Sequence, residues 1–495
     1  MARSNKLSGR KKLTTRSAET LLEAIMEDVV QTAAMPFEEW RALSPFPLAS
    51  LTIPESPGRE YRVTQAGVNA AQELTRQTWQ TREDFRQTIK RGEFNKLSFT
   101  AIGRTIRNSP AHLPTGINGD SKVGDEFYAA LAAEYFANLN QFADKARHDI
   151  DRHIPCHLFH SDQGVPAFSI GPVEFRPRAA WIDHFITDSV HRTHIQQVES
   201  GALHIDELRR LAYLPSSSND LYRAWSVLSS LRGFEWIATI RMTGHEFGQA
   251  HHKTSTLVGL AIDALGLRFQ LEDARRFTKA GRQHLFAEDR LATSINGAFI
   301  LGSSIQMPGI GSKPGALAAK VAAERPFLDA AGNILRSYVQ GRQTGRAPHL
   351  VERWANALHW VGEARREASD FIAVVNYGCA ADGLSGAGGD GTMMTDFAEA
   401  ALNPKGEPTP AGLRTIADAV TTVYREGRNR LAHGEMPGLL EDLTEARATG
   451  DALLVNLFDV VTVELANIIA TRPEILAVDE KHAYRALQAR LRQRS

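Results

Sequence analysis

The stretch ALLVNLFDVVTVELANIIA, residues 452–470, is the longest apolar run in this chain of 495 residues, and it limits what the chain can fold into. Asp459 and Glu464 interrupt it, so lying in hydrocarbon would strand two carboxylates there. It reads as a buried amphipathic helix and not as a membrane span. Such a helix needs other helices to cover it. Residues 350–384 read as one long helix or two short ones. SGAGGDGTM, residues 385–393, reads as a flexible loop. Residues 409–433 read as a helix opening on Thr409 and Pro410, a pair suited to an N-cap and first turn. With a last helix over 450–470, the spacing predicts an antiparallel four-helix bundle.

Upstream the pattern is also mainly α. Residues 1–16 carry six Lys/Arg and no acid, which predicts a disordered basic arm over 1–17. Helices are expected from Ser17 onward, over 64–92 and over 125–150. Residues 154–184 break the rhythm with Asp-Gln-Gly and Gly-Pro turns between short apolar runs, which predicts a small β-hairpin. Helical spacing resumes over 189–214, 220–242 and 254–289. A turn-rich loop follows at 306–315, and the polar linker QGRQTGRAPH, 340–349, reads as a domain boundary. The expected organisation is an arm (1–17), a helical N-terminal region (18–150), a middle region with a short β element and then helices (151–345), and the bundle (346–495).

The motif sits at 424–434, YREGRNRLAHG. An Arg followed five or six residues later by His also occurs at Arg147/His153 and Arg178/His184, so spacing alone decides nothing. The third case differs in its setting. Asn429 follows Arg428 directly, and His433 stands between Ala432 and Gly434 at the end of a long amphipathic helix. That combination resembles the HEPN superfamily, whose nucleases carry an Arg, a polar residue, a short spacer and a His at this place. The resemblance covers roughly residues 350–475 and is nearest to the ApeA-like branch, in which an acidic residue on the preceding helix joins the site. Asp382, in AADGL, is the residue that best matches it.

The resemblance implies a C-terminal HEPN bundle and a metal-independent endoribonuclease needing no cofactor. It implies RNA as substrate and a homodimer with two motifs face to face. It also implies a role in antiviral defence or as a toxin, with the upstream region sensing an unidentified trigger or partner protein. The alternative is a non-catalytic HEPN module that binds nucleotides or proteins.

The residue types suit RNA cleavage. A neutral imidazole at His433 can take the proton from a ribose 2′-hydroxyl or give one to the leaving oxygen. The Arg428 guanidinium can hold two phosphate oxygens and stabilise charge developing on them. Asn429 can fix a phosphate or orient the imidazole. In an ideal α-helix, residues five apart lie on different faces, so Arg428 and His433 converge only if the helix ends between them. The whole chain offers no attractive field, because 57 basic residues balance 57 acidic ones. Any RNA affinity must come from a local patch.

Other constellations are weaker. His148, His153, Cys156, His157 and His160 are spaced for a zinc site but also suit a helix end running into a strand. His245 and His251 are six apart, where a zincin needs four. GIGSKPGALAAK has Pro314 where a phosphate loop needs Ser or Thr. Cys156 and Cys379, far apart in sequence, suggest no disulfide framework, and the N-terminus has no apolar run behind its basic residues. A cytoplasmic protein without membrane contact is expected.

Overall fold

A computed structural model describes residues 17–43, 52–56, 59–108, 125–214, 219–282, 287–344, 347–406, 409–432, 441–471 and 480–494. The chain is mainly α and divides into two compact units. The first takes residues 1–150 and 242–251, and the second takes 151–241 and 252–495. The expected basic arm falls outside the described residues apart from Ser17.

The first unit holds α1 (Ala18–Ala33), α2 (Phe37–Ala42), a hairpin of β1 (Thr52–Ser56) and β2 (Arg59–Arg62), then α3 (Gln65–Thr81), α4 (Glu83–Thr88), α5 (Arg91–Asn108) and α6 (Asp125–Ala146). The helix expected over 64–92 is therefore three helices, broken at Arg82 and again at Ile89, whose backbones leave the helical region. Asp28 on α1 accepts from the Thr64 backbone N–H and hydroxyl, so one carboxylate ties the start of α3 to α1. A buried hydroxyl chain, Thr75 to Ser98 to Tyr135, links α3, α5 and α6. The unit closes with a distant segment: Glu246 N–H donates to the Thr88 carbonyl at 2.7 Å.

The chain passes between the units along β3 (His148–His157) and again along β6 (Trp236–His245). The expected hairpin is present as β4 (Phe168–Ile170) and β5 (Val173–Pro177), paired Phe168 to Phe175. It is the edge of a larger sheet, ordered β4-β5-β6-β3-β7, with β7 at Thr278–Lys279. Phe159, Phe168, Phe175 and Trp236 form an aromatic layer on it. The helix expected over 220–242 is α10 (Asn219–Leu231) followed by β6, whose run Trp236–Ile240 is wholly buried and carries β-branched residues. Helices α7 (Arg178–Phe185), α8 (Ser189–Glu199) and α9 (Ile205–Ala212) pack with α10 around Ile195, Leu208 and Leu228. The helix expected over 254–289 is α11 (Phe247–Gly266), the short α12 (Leu271–Ala274), β7, and the start of a hairpin of β8 (Ala287–Ile295) and β9 (Ala298–Gln306).

The remaining chain is helical: α13 (Ala316–Ala323), α14 (Arg325–Thr344), α15 (Pro348–Arg366), α16 (Asp370–Ser385), α17 (Gly391–Leu402), α18 (Ile416–Val420), a π-helical segment (Thr421–Asn429), α19 (Arg430–Ala432), α20 (Thr444–Thr471) and α21 (Glu480–Gln493). The stretch read as a polar linker, 340–349, takes in the end of α14, interrupted at Gly341, and the start of α15. Residues 350–384 form two helices. Thr409 and Pro410 do not start the next one: α18 begins at Ile416, capped by the Thr415 hydroxyl, which accepts from the Asp418 N–H at 3.0 Å. The two residues precede a turn instead. α20 is long and apolar enough to cross a membrane, yet most of its apolar window is buried in this chain. Leu453, Leu454, Leu457 and Val461 are core residues, Asp459 pairs with Arg268, and Glu464 pairs with Arg490.

Two buried arginines knit this region together. Arg365 on α15 donates to the carbonyl of Gly266 at the end of α11 and to that of Phe269 just beyond it, and pairs with Asp451 of α20 at 2.8 Å. Arg447 of α20 donates to the Glu367 carbonyl at the end of α15 and to Asp370 at the start of α16. Each puts a cation where a helix leaves carbonyls unmatched.

α16 approaches both neighbours through glycine. A Cβ on Gly378 would stand 2.3 Å from the Arg428 Cβ, and one on Gly427 would stand 2.5 Å from Val374 Cγ1. On the α20 side, a Cβ on Gly450 would meet the Tyr377 ring at 2.8 Å. Gly378→Ala therefore has to push two backbones apart, because Arg428 Cβ cannot rotate away. The expected cost is about 1–3 kcal/mol, or more if the π segment is displaced. Denaturant unfolding of the variant beside wild type measures it. Equal midpoints would refute the close approach.

Candidate functional site

The motif lies on the π segment and the short helix after it. Hydrogen bonds in a π-helix run from residue i+5 to residue i, one residue wider than in an α-helix. Gly427 sits inside the widened turn, where an added Cβ would meet the Thr422 carbonyl oxygen at 3.0 Å as well as Val374. The ideal α-helical geometry expected for Arg428 is thus replaced by π geometry. The helix also does not end directly after Arg428, since helical residues continue through Ala432. His433 and Gly434 lie outside the described residues.

Arg428 is half-buried, with its Cβ against Gly378 of α16. Its guanidinium donates to the Asn429 side-chain oxygen at 2.9 Å and reaches the Tyr424 hydroxyl at 3.5 Å. The guanidinium carbon lies 5.5 Å from the centre of the Tyr424 ring. All these partners are neutral. The arginines of the two look-alike spacings differ: Arg147 pairs with Asp144 and Arg178 with Glu199. Among the described residues, no carboxylate pairs with Arg428. The structure therefore joins Arg428 and Asn429 and adds Tyr424, which the sequence reading left unassigned. Its place four residues before Arg428 was the available signal.

Asp382 is on α16, one turn after Gly378, which is about 6 Å further along an ideal helix. It is half-buried, and its carboxylate accepts from the Gly389 N–H at 2.8 Å. The same glycine lies beside Tyr424, whose hydroxyl would be 3.3 Å from a Cβ placed there. Asp382 also adds its charge to the surroundings of Arg353 and Tyr484. Glu480 hydrogen-bonds Arg353 and holds its pKa up, whereas burial raises that of Tyr484. No hydrogen bond or ion pair joins Asp382 to Arg428 among the described residues. The loop expected to be flexible is a turn held at both ends: by Asp382, and by Asp390, which accepts from the Thr392 and Met393 N–H groups to start α17.

A cleft of about 920 Å³ touches the same segment through Glu426, Gly427 and Arg430. Arg414 pairs with Glu445 and Arg430 with Glu441, leaving Asp418, Glu426 and Asp442 as surplus negative charge on its wall. That potential repels a polyanion. Arg428 is not part of this wall.

The other constellations resolve into structure. Trp181 donates to Nδ1 of His153 at 3.1 Å, and burial holds that imidazole below its ordinary pKa. The His157 ring stacks on Phe234 at 4.4 Å, and burial pushes the Cys156 thiol well up. Among the described residues, no group of three or more His, Cys, Asp or Glu side chains is placed to hold a metal. His245 ends β6 while His251 stands exposed on α11, so they do not share a helix face. No known protein family, curated protein or solved structure matches the chain.

Proposed function

We propose that the chain is a metal-independent endoribonuclease of HEPN type. The observation that carries the reading is the Arg428 guanidinium: half-exposed, held by neutral partners, and placed just before Ala432-His433-Gly434. A guanidinium without a carboxylate keeps its full charge for a phosphate. In this reading Arg428 holds the scissile phosphate, Asn429 fixes the guanidinium or the phosphate, and His433 moves the proton of the ribose 2′-hydroxyl. Asp382 supports the turn beside Tyr424. The 2′-oxygen attacks the adjacent phosphorus, the 5′-oxygen of the next nucleotide leaves, and a 2′,3′-cyclic phosphate remains. The HEPN resemblance further suggests a cytoplasmic homodimer with facing motifs, acting in antiviral defence or as a toxin.

Arg428→Ala keeps the Cβ that packs against Gly378, so the close approach to α16 is retained. Arg428→Ala and His433→Ala are each expected to lower RNA cleavage by about 10²-fold or more while leaving thermal unfolding near wild type. Wild-type rates in either variant would remove that residue from the site. RNA binding without cleavage in the wild-type protein would identify a binding module instead.

Cleavage is expected to persist in EDTA, and a substrate with 2′-deoxyribose at the scissile position is expected to resist it. Efficient cutting of that substrate would exclude attack by the 2′-hydroxyl.

If two imidazoles share one cleft, one can act as base and the other as acid. Mixing His433→Ala chains into wild type should then lower activity more than dilution does. An active monomer in sedimentation at assay concentration would refute the shared cleft.

A further inference from the structure

A second set of charged groups stands away from the motif, between α11, α14, α15 and the turn after β7. Asp263, almost fully buried on α11, binds Arg282 at 3.1 Å and Arg366 at 2.6 Å. Glu363 on α15 binds the same two arginines. Burial works to raise the Glu363 pKa, but the Arg282 hydrogen bond and the charges of both arginines outweigh it and bring it down to about 2. Two carboxylates and two guanidiniums leave this group electrically neutral.

Lys279 adds one more cation. Its ammonium donates to the Ser255 hydroxyl at 2.8 Å, a neutral partner. A Cβ on Gly259 would stand 3.6 Å from both Lys279 Cε and Arg282 Nη1, so the two side chains converge over one residue of α11. The surplus charge borders a cavity of about 320 Å³, near the lower end of the range for small-molecule sites. Leu260 and Ala355 give it a buried apolar floor. Ser255, Thr256 and Tyr338 line it with hydroxyls, and Asn356 and His359 stand at its exposed side. Burial, then the nearby Arg282, already holds the Lys279 pKa below its ordinary value. An anion in the cavity would reverse that strain.

We propose that this cavity binds a phosphate group, free or as the end of a small ester, with Lys279 as its counter-charge and the Ser255 hydroxyl as a hydrogen-bond donor, the Thr256 hydroxyl being committed to the His252 carbonyl. The neutral ion group below keeps Arg282 and Glu363 rigid, and Lys279 is the cation left to compensate. The cavity is too small for a folded polyanion, so the ligand class is a small molecule.

The test is calorimetric titration and thermal unfolding of the full chain with inorganic phosphate, adenosine monophosphate and adenosine, at ionic strength fixed with chloride. Saturable binding and a concentration-dependent rise in Tm are expected for at least one phosphate-bearing probe and not for adenosine. Tighter binding of the monophosphate identifies an ester site, and equal or weaker binding identifies a free-anion site. Lys279→Gln is expected to weaken binding by about tenfold or more. Thr256→Leu, which fills the cavity without touching the ion group, is expected to abolish it and decides the matter if Lys279→Gln fails to fold. The proposal is overturned if neither phosphate probe saturates below about 10 mM. It is equally overturned if a folded variant of either kind binds as wild type does. The readout is independent of RNA cleavage.

Discussion

Where α16 crosses its neighbours, one partner in each close contact is a glycine. Gly378 lies against the Arg428 Cβ, Gly427 against Val374, and Gly450 of α20 against the Tyr377 ring. Close-packed interiors do not absorb an added methyl group at such distances. The contacts fix where the π segment runs, and through it where Arg428 points. Tyr377 strengthens the α20 side, because its hydroxyl donates to Asp451, which also takes Arg365. The geometry around Arg428 is thus set by three glycines and a buried charge network, not by the motif itself.

The π segment changes how the motif should be read. An Arg, an Asn and a His at fixed spacing suggest an α-helix, in which five residues carry a side chain to another face. A π turn is wider, so the angular offsets from Tyr424 to Asn429 differ from those of an α-helix, while His433 lies outside the described residues. π-helical turns are uncommon and are frequent at functional sites. Nothing in the local sequence announces the geometry. Gly427 and the β-branched Thr421 to Val423 weaken an α-helix there, but the choice is made by packing against α16.

Several elements were legible. The mainly α character, the hairpin at 168–177 and the burial of the 452–470 helix follow from periodicity and turn residues. β6 was not, because WIATIRM continues an apolar pattern begun by α10 and is buried along most of its length, so it shows no alternation to separate strand from helix. β8–β9 carries a sequence signal of its own. Asn296 and Gly297 both have positive φ, and Asn-Gly between alternating residues is a strong hairpin signal. At the site, Arg428 and Asn429 do come together, and the carboxylate of Asp382 turns out to bind a loop amide. Side-chain partnerships of that kind depend on the loop path, which sequence spacing does not encode. No sequence pattern marks Lys279 and Arg282, because the residues that surround them are spread from 255 to 363.

The first compact unit is not continuous in sequence. It needs residues 242–251, where Glu246 reaches the Thr88 carbonyl. During synthesis, residues 1–150 must wait for about one hundred further residues, 151 to 251, before that segment exists. At typical ribosome speeds this is a delay of roughly 5–20 s. Through that interval the surfaces meant for 242–251 stay uncovered while the sheet strands of the second unit are still emerging. The nascent chain therefore passes through this interval with its first unit incomplete. The order in which this unit is completed is thus set by the fold's connectivity and not by its final stability.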